Sequence, residues 1–387
     1  MITSAIPYLT VILCIAGSLK LLETSSRWKI FTYLPAIVAL YFIVMLCSTF
    51  GIWERTEEIN AAYKTTRNNI LPAMIFLMLL KADLRQIKLL GTRLIMAFFA
   101  ASISIGIAFV IAFAVMQTWL LPDAWKTLAA LCGSWMGGTG NMAAIQVALN
   151  VPDSSMGYTM LIDSIDYALW VMLLLALVPF AKRFNNWSGA DSSLLERVGA
   201  KLEQNAAEIK GDASTGLLFL LAISLLVSIG CQSLASILPT SAFFTTTAWT
   251  VLIVTVIGVL AALTPMSRLF GSTELSNLML YLIVGLIASR ADFAELIAAP
   301  VYIITGLLIL AVHGILMLIF AKLFKFDLFT CGVASLANIG GVASAPILAA
   351  AYSRALIPVG VLMALLGYVV GTGGGLLVGK VLSVIAN

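Results

Sequence analysis

The chain is a succession of long apolar runs separated by short polar punctuation. Runs suited to a hydrocarbon layer ~30 Å thick fall near 5–22, 31–50, 69–80, 94–116, 125–150 and 156–180, and again near 214–237, 243–264, 276–289, 300–323, 328–351 and 356–383. This repetition predicts an all-α polytopic membrane protein built from two sets of six segments. Between the sets, 181–213 holds five basic and five acidic residues, and Ser193-x-x-Glu196 forms a capping box ahead of Val198, Leu202 and Ile209. That stretch predicts a polar linker with a short surface helix. It joins a first transmembrane repeat at 1–180 (core part 94–180) to a second at 214–387 (core part 300–383).

Composition strengthens the membrane reading. Of 387 residues, 61% are hydrophobic and 10% charged, against roughly 25% charged in a soluble domain, and mean hydropathy is +1.06. The net charge of +4 is scattered over loops, which suits membrane anchoring and gives no footprint for nucleic acid. Cys14, Cys47, Cys132, Cys231 and Cys331 fall inside apolar runs without C-x-x-C spacing, so they read as small core residues rather than metal ligands or disulfides. No cofactor is expected. The first run follows no basic n-region, so it reads as a retained span.

The two sets share an order: short span, charged turn, long span, Gly-rich span, long span. Lys81-Ala82-Asp83-Leu84 matches Arg290-Ala291-Asp292-Phe293, while Ser134 pairs with Ser335 and Tyr167 with Tyr368 at one offset. Lys20, Arg27 and Lys29, then Lys81, Arg85, Lys88 and Arg93, mark two cytoplasmic loops and put the N-terminus outside. An inverted repeat needs an odd number of crossings per repeat, however, and six segments give an even one. Either one segment fails to cross, with the short runs 69–80 and 276–289 the first suspects, or the repeats are parallel.

Two places break the helical pattern. Cys132-Gly133-Ser134-Trp135-Met136-Gly137-Gly138-Thr139-Gly140-Asn141 should unwind, because glycine at this density removes the bias that keeps a helix continuous. The matching stretch Ser335-Leu336-Ala337-Asn338-Ile339-Gly340-Gly341-Val342-Ala343-Ser344-Ala345-Pro346 carries a proline one turn past its glycines. Unwound backbone in lipid is tolerated only where it lines a cavity, so paired breaks point to a transporter's binding site. Ser134, Thr139, Asn141, Asn338 and Ser344 are the side-chain candidates, with Gly137, Gly138, Gly140, Gly340 and Gly341 supplying backbone. Gly367-x-x-x-Gly371 and Gly375-x-x-x-Gly379 read as helix packing.

Asp163 and Asp166 lie inside the run 156–180, three residues apart and so on one helical face. Carboxylates there are costly unless paired, hydrated or protonated, which makes them candidates for Na⁺ or proton coupling. His313, the single histidine, stands mid-span as either a proton relay or a core hydrogen-bonding group. Asp83 and Asp292 follow basic residues at helix ends and read as anchors. The motifs H-E-x-x-H and G-x-S-x-G are absent, which argues against an intramembrane hydrolase.

Gly133-Ser134-Trp135-x-Gly-Gly-Thr-Gly-Asn141, Ala337-Asn338-Ile339-Gly340-Gly341 and Gly371-Thr372-Gly373-Gly374-Gly375 resemble the uncharacterised membrane family DUF819. That family is more distantly similar to the superfamily of bile-acid:sodium symporters, glutamate:sodium symporters and cation/proton antiporters. The resemblance implies an inverted repeat, two crossing discontinuous helices, a mobile core sliding against a panel in an elevator-type architecture, and a homodimer in the cell membrane. It also puts the antiporters' acidic pair on Asp163 and Asp166, without those antiporters' adjacent spacing. The expected function is a Na⁺- or H⁺-coupled carrier of a small organic solute such as an amino acid, short peptide or organic anion. The alternative is a cation/proton antiporter without organic substrate. A non-transporting scaffold would leave the paired breaks and the acids unexplained.

Overall fold

A computed structural model describes residues 1–25, 35–82, 87, 90–190, 213–241, 244–291, 299–353 and 356–386. The linker calls at Ser193 and Glu196, and the anchors Asp83 and Asp292, lie outside these residues. The described elements are helical: α1 (Ala5–Ser25), α2 (Ala36–Thr49), α3 (Glu57–Leu79), α4 (Gly91–Met116), α5 (Ala124–Gly137), α6 (Thr139–Ala148), α7 (Met156–Leu177) and the short α8 (Ala181–Ser188). They continue with α9 (Ala213–Ser236), α10 (Thr246–Ala262), α11 (Ser272–Ala288), α12 (Ala299–Phe324), α13 (Leu328–Ile339), α14 (Gly341–Tyr352) and α15 (Ile357–Ala386). Six helical stretches are long and apolar enough to cross a membrane; α2, α10, α11, α13 and α14 are apolar but shorter. The run predicted at 69–80 begins twelve residues earlier, at Glu57. Its first half, Glu57–Asn68, is mostly polar and escaped a hydropathy reading, yet Thr56 caps it by accepting the Ile59 amide at 3.3 Å.

Side-chain ties sort the helix ends into two groups. At one end Ile2 N donates to Ile52 O (2.8 Å), Tyr8 and Ser289 hydroxyls meet at 2.5 Å, Arg290 donates to Asn60 Oδ1 (2.6 Å), and Thr245 donates to Ala148 O (3.1 Å). At the other, Lys81 Nζ donates to Leu269 O (3.2 Å), Lys322 Nζ to Trp187 O (2.6 Å), and the Leu328 amide to Asn185 Oδ1 (2.9 Å). These are called the N-terminal end and the linker end. Following the chain between them, α1, α3, α7, α10 and α12 run toward the linker end, and α2, α4, α9, α11 and α15 run back.

The two broken segments do not cross. Each is a helical hairpin that turns back to the end it came from. In α5–α6, Gly133 faces Ile145, and Ala129 and Leu149 both border Gly379, where a Cβ would lie 2.8 and 3.2 Å from their side chains. In α13–α14, the Phe329 and Tyr352 rings are 5.3 Å apart and a Cβ on Gly332 would lie 3.0 Å from Leu348. The first hairpin enters from the N-terminal end and the second from the linker end. Hairpins thus stand where two crossing discontinuous helices were expected, and each half has five helices that run from one end to the other and one hairpin. The short runs 69–80 and 276–289, suspected of not crossing, belong to α3 and α11, which also run from end to end.

Two apolar cores form. One gathers α4, α7, α12, α13, α14 and most of α15 around Phe98, Phe109, Trp135, Tyr302 and Met363. The other gathers α1, α2, α3, α9, α10 and α11 around Tyr41, Phe76, Val254 and Ile283. The α5–α6 hairpin contributes to both, with Leu131 and Trp135 in the first and Met142 and Ile145 in the second. It is seated on α15 through a ladder of small residues: a Cβ on Gly371 would lie 2.6 Å from Gly137 Cα, and one on Gly375 would lie 2.9 Å from Gly133 Cα.

Candidate functional site

The tips of the hairpins meet. Gly138, Thr139 and Gly140 from the first, and Gly340, Gly341, Val342 and Ala343 from the second, line one cavity of about 140 Å³. Met74 and Met78 of α3, Ser276, Asn277 and Leu280 of α11, and Tyr368 of α15 complete it. The cavity therefore lies where the two cores abut.

Each tip is a single-residue break rather than a long unwound stretch. Helix α5 continues through Gly133 to Gly137, and only Gly138 leaves it, at φ 87°, ψ 173°, a region that essentially only glycine occupies. At the second tip Gly341 takes φ 56°. Helices α6 and α14 both start at the cavity wall, so their first amides, which have no partner within the helix, face it from opposite directions. Among the described residues no charged side chain lines the cavity. Helices α5 and α13 end at the same wall, so the last carbonyls of one arm of each hairpin meet the first amides of the other there, beside the polar side chains of Thr139, Ser276 and Asn277.

The asparagines expected as ligands serve the tips instead. Asn141 is buried; its Nδ2 donates to Gly137 O (2.5 Å) and its Oδ1 accepts from Thr372 Oγ1 (2.5 Å). Asn338 repeats the device: Nδ2 donates to Ala334 O (2.9 Å) and Oδ1 accepts from Ser102 Oγ (2.7 Å). Both ties bind the amide of a tip to its own carbonyl four residues back and to a long helix of the opposite half. A buried amide must be satisfied, and here the protein satisfies it. Gly137 likewise packs against α15 and is absent from the cavity wall. Ser344 is buried behind the second tip, where a Cβ on Gly340 would run into it and into Tyr167, at 2.5 Å from the ring. Of the predicted side-chain candidates, Thr139 is the one in the cavity wall.

The two aspartates part company. Three residues are about 300° of helical arc, so their side chains splay by about 60°. Asp163 turns to the first hairpin and accepts from Ser134 Oγ at 3.1 Å on both oxygens. Asp166 turns the other way, fully buried against Gly306 of α12, where a Cβ would collide with its carboxylate. Neither Asp166 oxygen has a hydrogen-bond partner among the described residues.

His313 is enclosed in a closed circuit. Nδ1 meets Ser104 Oγ at 2.7 Å, Nε2 meets Ser335 Oγ at 2.8 Å, Trp170 Nε1 donates to Ser335 Oγ at 2.8 Å, and Ser104 Oγ donates to Ala101 O at 2.7 Å. Ser104 has spent its hydrogen on Ala101, so it accepts from Nδ1–H, and Ser335, accepting from Trp170, donates to Nε2. One neutral tautomer satisfies every group. This is a core role.

Sequence reasoning missed Ser276, Asn277 and the methionines of α3. Ser276 and Asn277 extend the polar opening Ser272-Thr273-Glu274 of α11 by a turn and were the available signal; the methionines gave none. It also missed a polar cluster near the N-terminal end, where Tyr63 donates to Asp153 Oδ2 (2.7 Å), Gln146 donates to Asp153 Oδ1 (2.7 Å) and Arg67 donates to Tyr63 Oη (2.8 Å). The cluster ties α3 to the turn between α6 and α7.

An all-α chain with many apolar helices and two hairpins meeting inside it is a polytopic membrane protein. It belongs to the DUF819 family: the model described as "Protein of unknown function (DUF819)" matches residues 10–385. It is similar to the "Uncharacterized membrane protein YjcL" of Bacillus subtilis (strain 168), with 26% identity over 339 residues, covering 83% of this chain and 84% of that protein.

Proposed function

We propose that the protein is a secondary active transporter of a small organic solute, resident in the cell membrane, with the cavity between the hairpin tips as its binding site. One observation carries the reading: tips entering from opposite ends share a single cavity at the boundary between two packed bodies. The halves then form an inverted repeat. Equivalent helices run oppositely, Tyr167 of the first half borders the tip of the second hairpin, and Tyr368 of the second half borders the tip of the first, 3.7 Å from a Cβ on Gly138. Basic residues Lys20, Lys81, Arg93, Lys182, Arg183, Arg268, Lys322 and Lys325 gather at the linker end, which is the cytoplasmic one by charge. Movement of the first body against the second opens the cavity to each side in turn, in elevator fashion.

The first amides of α6 and α14, which have no acceptor within their helices, offer donors to a carboxylate or similar oxyanion on the solute. The coupling ion is carried by the aspartates of α7. A buried carboxylate with no hydrogen-bond donor among the described residues is costly when charged, so Asp166 suits a proton carrier that crosses in neutral form. Reconstituted protein is expected to accumulate a small carboxylate in proteoliposomes under an inward proton gradient, with Na⁺ dispensable. Asp166 also favours a second reading, cation/proton antiport without organic solute. Proton flux driven by Na⁺ or K⁺, with no effect of any carboxylate, would select it and sink the first.

A further inference from the structure

Outside the transport site, an apolar groove opens on the flank of the first body. It has a volume of about 310 Å³ and is lined by Trp170, Leu173 and Leu177 of α7, Gly314 and Ile315 of α12, and Phe184 of α8. At Phe184 and Leu318 it runs into a second, shallower depression walled by Phe180, Arg183 and Trp187. Leu173, Ile315, Leu318 and Phe180 are all about half exposed, so the groove faces the surroundings of the helices and not the interior.

The mouth differs in kind from the trough. Helix α8 lies across the linker end, held by the Asn185 bond to the Leu328 amide and by Lys322, whose Nζ donates to Trp187 O and stands 5.5 Å over the Trp187 ring. At that mouth stand Arg183 and Lys322, both exposed, and Lys182 and Lys325 are exposed in the adjoining turns. The described acid nearest in the chain to Lys322 and Lys325, Asp327, is buried and set 3.8 Å from Arg93. Among the described residues no carboxylate pairs with Lys182 or Arg183. An acyl-sized apolar trough thus ends under a Trp and two Phe rings, beside positive charge that no carboxylate among the described residues pairs with.

We infer that this groove is a binding site for one anionic phospholipid, with an acyl chain along Leu173, Leu177 and Ile315 and the phosphate beside Arg183 and Lys322. Trp187 and Phe180 sit at the depth of the glycerol backbone. The site is formed within one body, by α7, α8, α12 and α13, so the lipid travels with that body.

The test is thermal unfolding of the detergent-purified full-length chain, titrated with phosphatidylglycerol or phosphatidylcholine of identical chains. Phosphatidylglycerol is expected to stabilise at about tenfold lower concentration, the scale of one to two basic contacts at an anionic surface. The variant Arg183→Gln should erase that preference while leaving unliganded stability unchanged, and Lys182→Gln, on the opposite face of α8, should leave the preference in place. Ala311→Phe, which fills the trough without altering charge, should erase it too. Inorganic phosphate or glycerol phosphate reproducing the stabilisation would overturn the inference, since the groove would then be idle. A preference that survives both Arg183→Gln and Ala311→Phe would overturn it as well.

Discussion

Thr372 Oγ1 donates to Asn141 Oδ1 at 2.5 Å, and the same amide returns its Nδ2 to Gly137 O, so α15 holds the tip of a hairpin that belongs to the other half of the chain. Ser102 and Asn338 are the reciprocal pair. Asn141→Ala should leave a buried hydroxyl and a tip carbonyl without partners and cost about 1–3 kcal/mol. Asn338→Ala should cost a similar amount. Thermal or denaturant unfolding in detergent measures both; a loss at one tip only would argue that the tips are not equivalent.

The hairpins themselves are open to a topological test. With the five native cysteines, all free, replaced, single cysteines at the exposed Asp123 and Asn150 should react with an impermeant maleimide from the same side of the membrane. Cysteines at Lys325 and Ser353 should react together from the other side. Opposite labelling within either pair would mean that the segment crosses, and the shared-cavity reading would fall.

Gly138 occupies a conformation closed to side chains. Gly138→Ala is expected to cost about 1–3 kcal/mol in local strain and to abolish solute uptake through distortion of the cavity wall. Unimpaired uptake by a stably folded Gly138→Ala protein would remove the first tip from the site.

Asp166 separates binding from coupling. Asp166→Asn keeps size and drops the titratable proton, so solute exchange across proteoliposomes should persist while accumulation against a gradient is lost. Retained proton-driven accumulation would clear Asp166 of any role in coupling. Gly306→Ala should be deleterious in the native protein through its collision with this carboxylate, and milder when Asp166 is shortened to Ala.

Much of this was legible in the residues. Membrane class followed from run length, and Gly138 and Gly341 were found because only glycine serves there. The hairpins were not legible, since a segment of 125–150 is long enough either to cross or to fold back, and its composition is the same in both cases. Only the pairing of Ala129 with Leu149 and of Phe329 with Tyr352 distinguishes them. Asn141 and Asn338 looked like ligands because polarity in an apolar run signals a need for partners. Whether those partners are solute or protein depends on Thr372 and Ser102, more than 200 residues away. Glu57–Asn68 fell outside the apolar runs because its polar side chains find partners far along the chain, Asn60 on Arg290 and Tyr63 on Asp153.

The glycine ladder between α5 and α15 also bears on how the chain is assembled. The first hairpin is synthesised early, yet beyond their contacts within it Gly133, Gly137 and Asn141 are seated against Gly367, Gly371, Thr372 and Gly375. During synthesis the hairpin must therefore wait, incompletely seated, while some 200 further residues enter the bilayer. A chain truncated before residue 357 should insert its other helices but leave that hairpin exposed to quality-control proteolysis, so the last helix acts as the closing step of biogenesis.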